Sequence, residues 1–198
     1  MTDEADRRRR IAVVGAGAAG LATAIFAARA NPKLSIALLD GAEKLGAKIL
    51  ISGGGRCNVT NVKVTPEDYW GGSRNTIKRV LAALPEEKTA AFFREIGVPL
   101  HQEQWGKLFP DSNQARTVLN ALLHEAEHRG VRLMTGHRVT AIAKGFIVTT
   151  SKGDLDAKRV VLATGGLSIP KTGSDGGGYA LAKALGHSMV PTPPALTP

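Results

Sequence analysis

The stretch from Arg10 to Asp40, RIAVVGAGAAGLATAIFAARANPKLSIALLD, limits what this chain can fold into more than any other. Ile11 to Val14 is an apolar run of the length a buried parallel strand takes, and Gly15, Gly17 and Gly20 follow at G-x-G-x-x-G spacing. The first glycine of such a triplet permits a tight strand-to-helix turn, the second lets backbone approach a pyrophosphate, and the third lets the helix pack close to the strand. Backbone N–H groups from Ala16 through Ala18 and Ala19 to Gly20 then face the phosphates at the positive end of the helix dipole. Leu21 to Ala30 continues the helix until Asn31-Pro32 stops it, and Leu34 to Leu39 returns as a second strand. That strand ends on Asp40, 20 residues beyond Gly20, where a carboxylate accepts hydrogen bonds from an adenosine ribose.

Strand, turn, helix, strand and terminal acid in this order predict dinucleotide binding over a glycine-rich helix start with no ligand. An export signal is the other rival, because Arg7 to Arg10, the uncharged run to Ala28 and Ala28-Arg29-Ala30 imitate its three regions. Cleavage there would delete the glycine triplet and leave Leu34 to Asp40 without a partner strand, so the strand-and-helix reading is kept. With one cysteine no internal disulfide forms, and a reducing cytoplasm is the expected setting. The net charge of +9 suits a pyrophosphate ligand, and it also suits nucleic acid or an acidic surface. The basic residues are dispersed beyond Arg10, which makes nucleic acid the weaker partner.

Further along, Lys48 precedes ILISGGGRCNVTN, in which Gly53 to Gly55 could wrap an anion with Lys48 and Arg56 on either side. Helical spacing covers Ser73 to Leu84, Pro85 to Gly97 and Ser112 to Arg129, with Val98 to Pro110 read as irregular. Short strands are expected at Val131 to Thr135, Val139 to Lys144, Phe146 to Thr150 and Lys158 to Ala163, the last feeding Thr164-Gly165-Gly166. A helix follows over Tyr179 to Leu185, then a strand at Ser188 to Val190. Residues 1–9 read as a disordered basic tail and 191–198 as a proline-rich linker. His124-Glu125-Ala126-Glu127-His128 matches H-E-x-x-H, yet both histidines point away from the helix's apolar stripe, so the dipole of the helix end explains them and no metal is expected.

Glu43-Lys44-Leu45-Gly46, the segment from Lys48 through SGGGRCNVTN, and ATGGLSIPKTGS from Ala163 to Ser174 together resemble the BaiN-like, aminoacetone-oxidase-type bacterial NAD(P)/FAD-dependent oxidoreductases. The resemblance implies an α/β fold: a Rossmann-like FAD-binding domain of the two-dinucleotide-binding-domain flavoprotein type, with a parallel sheet, a small antiparallel strand run and an incomplete C-terminal side. It implies that Gly15, Gly17 and Gly20 face the pyrophosphate of FAD and Asp40 the ribose. It further implies that Lys48, Gly54, Arg56, Cys57 and Asn58 lie next to the cofactor, that Val139 binds adenine through its backbone, and that Thr164, Gly165 and Gly166 pass the flavin. Relatives carry an acid at the position of Gly177, with Asp175 two residues earlier here. Cys57 has no second cysteine to pair with and reads as a small packed residue.

The implied organisation is one FAD-binding domain over 10–190 with a helical insertion at about 66–129, followed by a linker to a substrate domain absent from this sequence. On that basis an N-terminal fragment with weak flavin affinity is expected. The implied activity is FAD-dependent oxidoreduction, with NAD(P)H as reductant, a small organic molecule or oxygen as acceptor, and no membrane partner. A truncated binding module without turnover and a flavin-dependent RNA-modifying protein are the alternatives.

Overall fold

A computed structural model describes residues 10–192; the tail at 1–9 and most of the linker at 191–198 lie outside the described residues. The chain divides into two compact units, one of 10–48 with 123–192, the other Ile49–Leu122.

The first unit is built on strand β1 (Arg10–Val14), helix α1 (Ala18–Ala30) and strand β2 (Ser35–Leu39), close to the spans expected from the sequence. Helix α2 (Ala47–Ile51) leaves this unit. The second unit holds β3 (Thr60–Asn61), α3 (Arg74–Ala83), α4 (Glu86–Glu95), β4 (Leu100–Gln102) and β5 (Lys107–Pro110). Helix α5 (Ala115–His128) leads back to the first unit, followed by β6 (Arg132–Met134), β7 (Val139–Ala143), β8 (Ile147–Thr150), β9 (Gly153–Asp156), β10 (Arg159–Leu162) and α6 (Gly177–Ala184).

Strands β10, β1, β2 and β6 form a four-stranded sheet in that order, parallel throughout, with Val13 paired to Leu38 on one side and Val161 on the other. The chain builds outward from β1 through β2 to β6 and then reverses to place β10 against the other edge of β1. That reversal is a topological switch point, and its crevice lies beyond the carboxyl ends of β1 and β10. Leu21, Ala24, Ile25 and Ala28, at helical spacing, form the buried face of α1. The opposite sheet face supplies Ala12, Ala37 and Leu39 to a core shared with Ile142, Val148 and Leu155 of the antiparallel β7-β8-β9 meander and Leu181 of α6. Each large aliphatic side chain so buried contributes roughly 1.5–3 kcal/mol.

In the second unit β3, β5 and β4 pair antiparallel, which corrects the irregular reading of Val98 to Pro110. A tight turn at Gln104–Gly106, with Trp105 at φ 58°, joins two strands too short for their alternation to stand out in sequence. The meander also gains a strand beyond those expected from the sequence, β9, which pairs antiparallel with β8. Ser188 to Val190 forms no strand, because no sheet edge pairs with it among the described residues. Helix α3 buries no residue, and its apolar stripe leaves Val80 and Leu84 exposed. No helix among the described residues is long and apolar enough to cross a membrane.

Candidate functional site

The glycine triplet occupies the β1–α1 turn, and each member has a distinct steric reason. Gly15 adopts φ +102°, and a Cβ there would lie 2.6 Å from the Ala163 carbonyl oxygen, so this turn and the one leaving β10 touch. A Cβ on Gly20 would fall 2.9 Å from the Gly15 carbonyl carbon and closer still to its oxygen, which sets the approach of α1 to the strand. A Cβ on Gly17 would meet nothing within 4 Å. Space therefore opens in front of the second glycine only, where a phosphate would approach.

Gly17 caps α1 without a side-chain hydrogen bond, and the first helical bond runs from Leu21 N–H to Gly17 O at 2.9 Å. The preceding amides of Ala18, Ala19 and Gly20 have no intrahelical acceptor, which leaves a helix N-terminus with donors and partial positive charge at the crevice. Ala16 differs from its neighbours: its N–H donates to Asp40 Oδ2 at 2.7 Å, while Ala42 N–H donates to Oδ1 at 2.9 Å. Each carboxylate oxygen keeps further lone-pair capacity for a ribose hydroxyl. The carboxylate thus fixes the shape of the glycine turn as well as the end of β2, a link no spacing rule announces.

Beyond β10, Thr164, Gly165 and Gly166 form the neighbouring wall. Gly165 sits at φ +76°, where a Cβ would be 2.6 Å from Ser174 Oγ and 3.7 Å from Lys48 Nζ; a Cβ on Gly166 would lie 2.9 Å from the Tyr179 hydroxyl. Lys48 Nζ donates to Ser174 Oγ, and Ser174 is buried. Gly178, the second residue of α6, leaves room for the Thr164 side chain. Asp175 is held by Arg138 Nη2 and by the Gly177 N–H at 3.0 Å, and these bonds, with the arginine's charge, lower its carboxyl below the usual range. Arg138, which sequence reasoning missed, also packs under Gly41, where a Cβ would be 2.8 Å from its Cδ. The only sequence signal for it was its place beside Val139. Val139 opens β7 and lines a cavity of about 470 Å³ with Arg138, Ile142, Gly177, Leu181 and Ala184.

The second unit carries the triple-glycine segment. Gly53, Gly54 and Gly55 take φ of 54°, 67° and 84°. A Cβ on Gly53 would be 2.8 Å from Asn58 N and 2.9 Å from the Phe109 ring, while Gly54 faces open space. Arg56 donates to Glu103 Oε1 at 2.5 Å and its guanidinium lies 4.2 Å from the Phe109 ring centroid, so its charge is already compensated. Its hydrogen bond is the main influence that lowers the Glu103 carboxyl. His101 stands between Asp111 (3.3 Å) and Glu103 (3.4 Å) and stacks on Phe109. This cluster was invisible in a stretch read as irregular. Asn58 places its amide nitrogen against the carbonyl oxygens of Thr60 (2.8 Å) and Leu108 (3.2 Å), bracing the β3–β5 pair. Cys57 is buried at φ 65°, and burial pushes its thiol up despite a hydrogen bond with Ser52. That is the environment of an inert thiol rather than an activated one.

Of the H-E-x-x-H residues, the rings of His124 and His128 stack 6.4 Å apart on the exposed face of α5. Glu125 between them is buried and receives Arg29 (2.5 Å) and Arg129 (2.8 Å). No group of three metal-ligating side chains occurs among the described residues.

The chain is 38% identical over 190 residues to the 3-dehydro-bile acid delta(4,6)-reductase of Clostridium scindens, covering 94% of this chain and 46% of the relative. It is 33% identical over 189 residues to the ribosomal RNA dihydrouridine synthase of Escherichia coli, with the same coverages. The chain thus spans about half the length of the curated relatives it matches. Among solved structures, the 3-ketosteroid-delta4-(5alpha)-dehydrogenase of Rhodococcus jostii RHA1 aligns with a TM-score of 0.66 at 18% identity, over 90% of this chain and 54% of that one. That likeness supports the α/β Rossmann fold expected from the sequence. Residues 9–193 match the HI0933-like protein Rossmann domain, and the chain belongs to that family.

Proposed function

We propose that this chain binds FAD along the carboxyl edge of its parallel sheet and forms the cofactor-holding part of a flavin-dependent oxidoreductase. The observation that carries the reading is steric: Gly15 and Gly20 have no room for a Cβ, whereas Gly17 faces open space at an uncapped helix N-terminus. A cradle of this shape fits a pyrophosphate. Gly15, Gly17, Ala18, Ala19 and Gly20 receive the phosphates, and Asp40 orients the adenosine ribose while holding Ala16. Val139 binds adenine through its backbone. Thr164, Gly165 and Gly166 carry the flavin end, with Lys48 beside them; Gly54, Arg56, Cys57 and Asn58 are assigned to the cofactor by the family resemblance alone. The FAD-binding domain spans 10–190 and carries its helical insertion at about 66–129; the clustering of Ile49–Leu122 as a compact unit of its own supports an insertion.

FAD, once bound, supplies two-electron transfer; the chain's share is binding, orientation and electrostatics. The reductant in this proposal is NAD(P)H, and the acceptor is a small organic molecule or oxygen. The reductase named among the relatives supports an organic acceptor. The test is the visible spectrum of the purified protein before and after adding FAD, followed by anaerobic mixing with NADPH. Flavin absorbance that bleaches supports the proposal. Bound flavin that never bleaches supports a binding module without turnover.

A second reading, reduction of uridine in RNA, is favoured by one relative's name and by the net charge of +9. It requires RNA binding that weakens steeply with salt. Absence of dihydrouridine after incubation with ribosomal RNA and NADPH would eliminate it.

A further inference from the structure

We infer that Lys48, with its ammonium held by Ser174 beside the Thr164–Gly165 turn, stabilises the negative charge that a flavin ring takes up on two-electron reduction. This rests on the FAD reading above. The first ground is the state of the cation. Arg29, Arg56, Arg138 and Lys152 are each paired with a carboxylate, whereas Lys48 is bonded to a neutral hydroxyl, and no carboxylate lies within ion-pair distance of it among the described residues. A half-buried ammonium with only a neutral partner keeps its charge uncompensated, and it gains most from an anion that arrives with a ligand.

The second ground is the fixed place of that charge. Ser174 is 5% exposed, so its hydroxyl anchors the ammonium from the protein side. Gly165 at φ +76° passes so close that a Cβ would sit 2.6 Å from Ser174 Oγ. The pair lies against the backbone of the turn that leaves β10 at the switch-point crevice. In the FAD reading the phosphates already have the α1 N-terminus, which follows the turn that touches Ala163 through Gly15. The turn beside Lys48 is the one assigned to the flavin end, where a nearby positive charge alters ring electronics.

The electron balance calls for such a charge. Hydride transfer from a reduced nicotinamide would carry two electrons and a proton together, release the nicotinamide as its oxidised cation and leave a bound flavin ring with one negative charge. Lys48 interacts more strongly with that state than with the neutral oxidised ring. Ser174 acts through Lys48 and is a positioning residue.

The experiment compares wild-type protein reconstituted with FAD to Lys48→Met, Lys48→Arg and Ser174→Ala. The readouts are FAD affinity, midpoint potential against a reference dye, and affinity for sulfite, which forms an anionic adduct with oxidised flavin without turnover. Lys48→Met is expected to lower the preference for reduced over oxidised flavin about tenfold, a fall of about 30 mV for a two-electron couple, and to weaken sulfite binding similarly. Lys48→Arg restores most of both, and Ser174→Ala gives a smaller loss in the same direction. A potential unchanged in Lys48→Met while FAD affinity falls equally for both redox states would overturn the inference, because Lys48 would then serve the pyrophosphate. No change in either quantity would also overturn it. Wild-type protein that takes up no FAD would instead refute the functional proposal on which the inference stands.

Discussion

Replacing Gly20 with alanine separates the packing role of the third glycine from the ligand role of the second. The added Cβ would stand 2.9 Å from the Gly15 carbonyl carbon, inside the 3.0 Å that Cβ atoms keep, and 3.4 Å from Leu38 Cδ1. The two nearest neighbours, the carbonyl oxygen and carbon of Gly15, belong to backbone, so α1 must move off the sheet. Overpacking of this kind costs about 1–3 kcal/mol, occasionally more. Alanine recovers at most about 1 kcal/mol of helix propensity, less in a first turn. The net loss is about 2 kcal/mol, and for a chain of this size the melting temperature falls by about 4–8 °C. Gly17→Ala is the counterpart. Gly17 has ordinary extended backbone, φ −78° and ψ −171°, and its added methyl meets no protein atom within 4 Å. It should melt within about 1 °C of wild type yet lose FAD affinity tenfold or more, because that methyl fills the space in which the proposal seats a phosphate. Thermal unfolding by circular dichroism and FAD titration by fluorescence measure the two effects separately. A Gly20→Ala variant as stable as wild type, or a Gly17→Ala variant that loses stability to the same degree, would refute the division of roles.

Asp40→Ala removes the acceptor of two backbone N–H groups, at Ala16 and Ala42, and should cost about 2–3 kcal/mol besides weakening FAD binding; urea midpoints check the first effect and titration the second. Glu125→Gln should destabilise by about 2 kcal/mol, since it replaces the buried, charged acceptor that both Arg29 and Arg129 bond to by a neutral amide. Burial raises the Glu125 carboxyl, but the bonds and charges of Arg129 and Arg29 outweigh it and lower it overall. Its contribution is therefore fully present above the ordinary glutamate value near ~4.3 and disappears as pH falls through the lower folded value. Wild type and Glu125→Gln should accordingly converge in stability on acidification, and a gap that widens below pH ~4 contradicts the assignment. Cys57, buried and with its thiol pushed up, should react with a disulfide reagent at pH 8 at least tenfold slower in the native protein than in urea. Equal rates would show that the triple-glycine segment opens freely.

The sequence alone determined the β1–α1–β2 unit, because everything that builds it is local. A four-residue apolar strand, three glycines at fixed spacing, a proline stop and a terminal acid each act within one turn or one strand. It also marked the α5 stripe of Ala115, Val118, Leu119, Leu122, Leu123 and Ala126, of which all but the half-buried Leu123 are buried, since helical periodicity survives in any context. Tertiary structure decided what depends on partners distant in the chain. The second wall of the crevice meets the first through Gly15 and Ala163, nearly 150 residues apart. Only folding could show that Arg56 is compensated by Glu103, that Asp175 is bonded to Arg138, and that the glutamate within H-E-x-x-H is buried under two arginines. The strands β4 and β5 escaped detection because three or four residues give too little alternation to read, and pairing across a turn is what holds them. A side chain's charge is legible in sequence, whereas the partner that neutralises it is set by where the backbone returns.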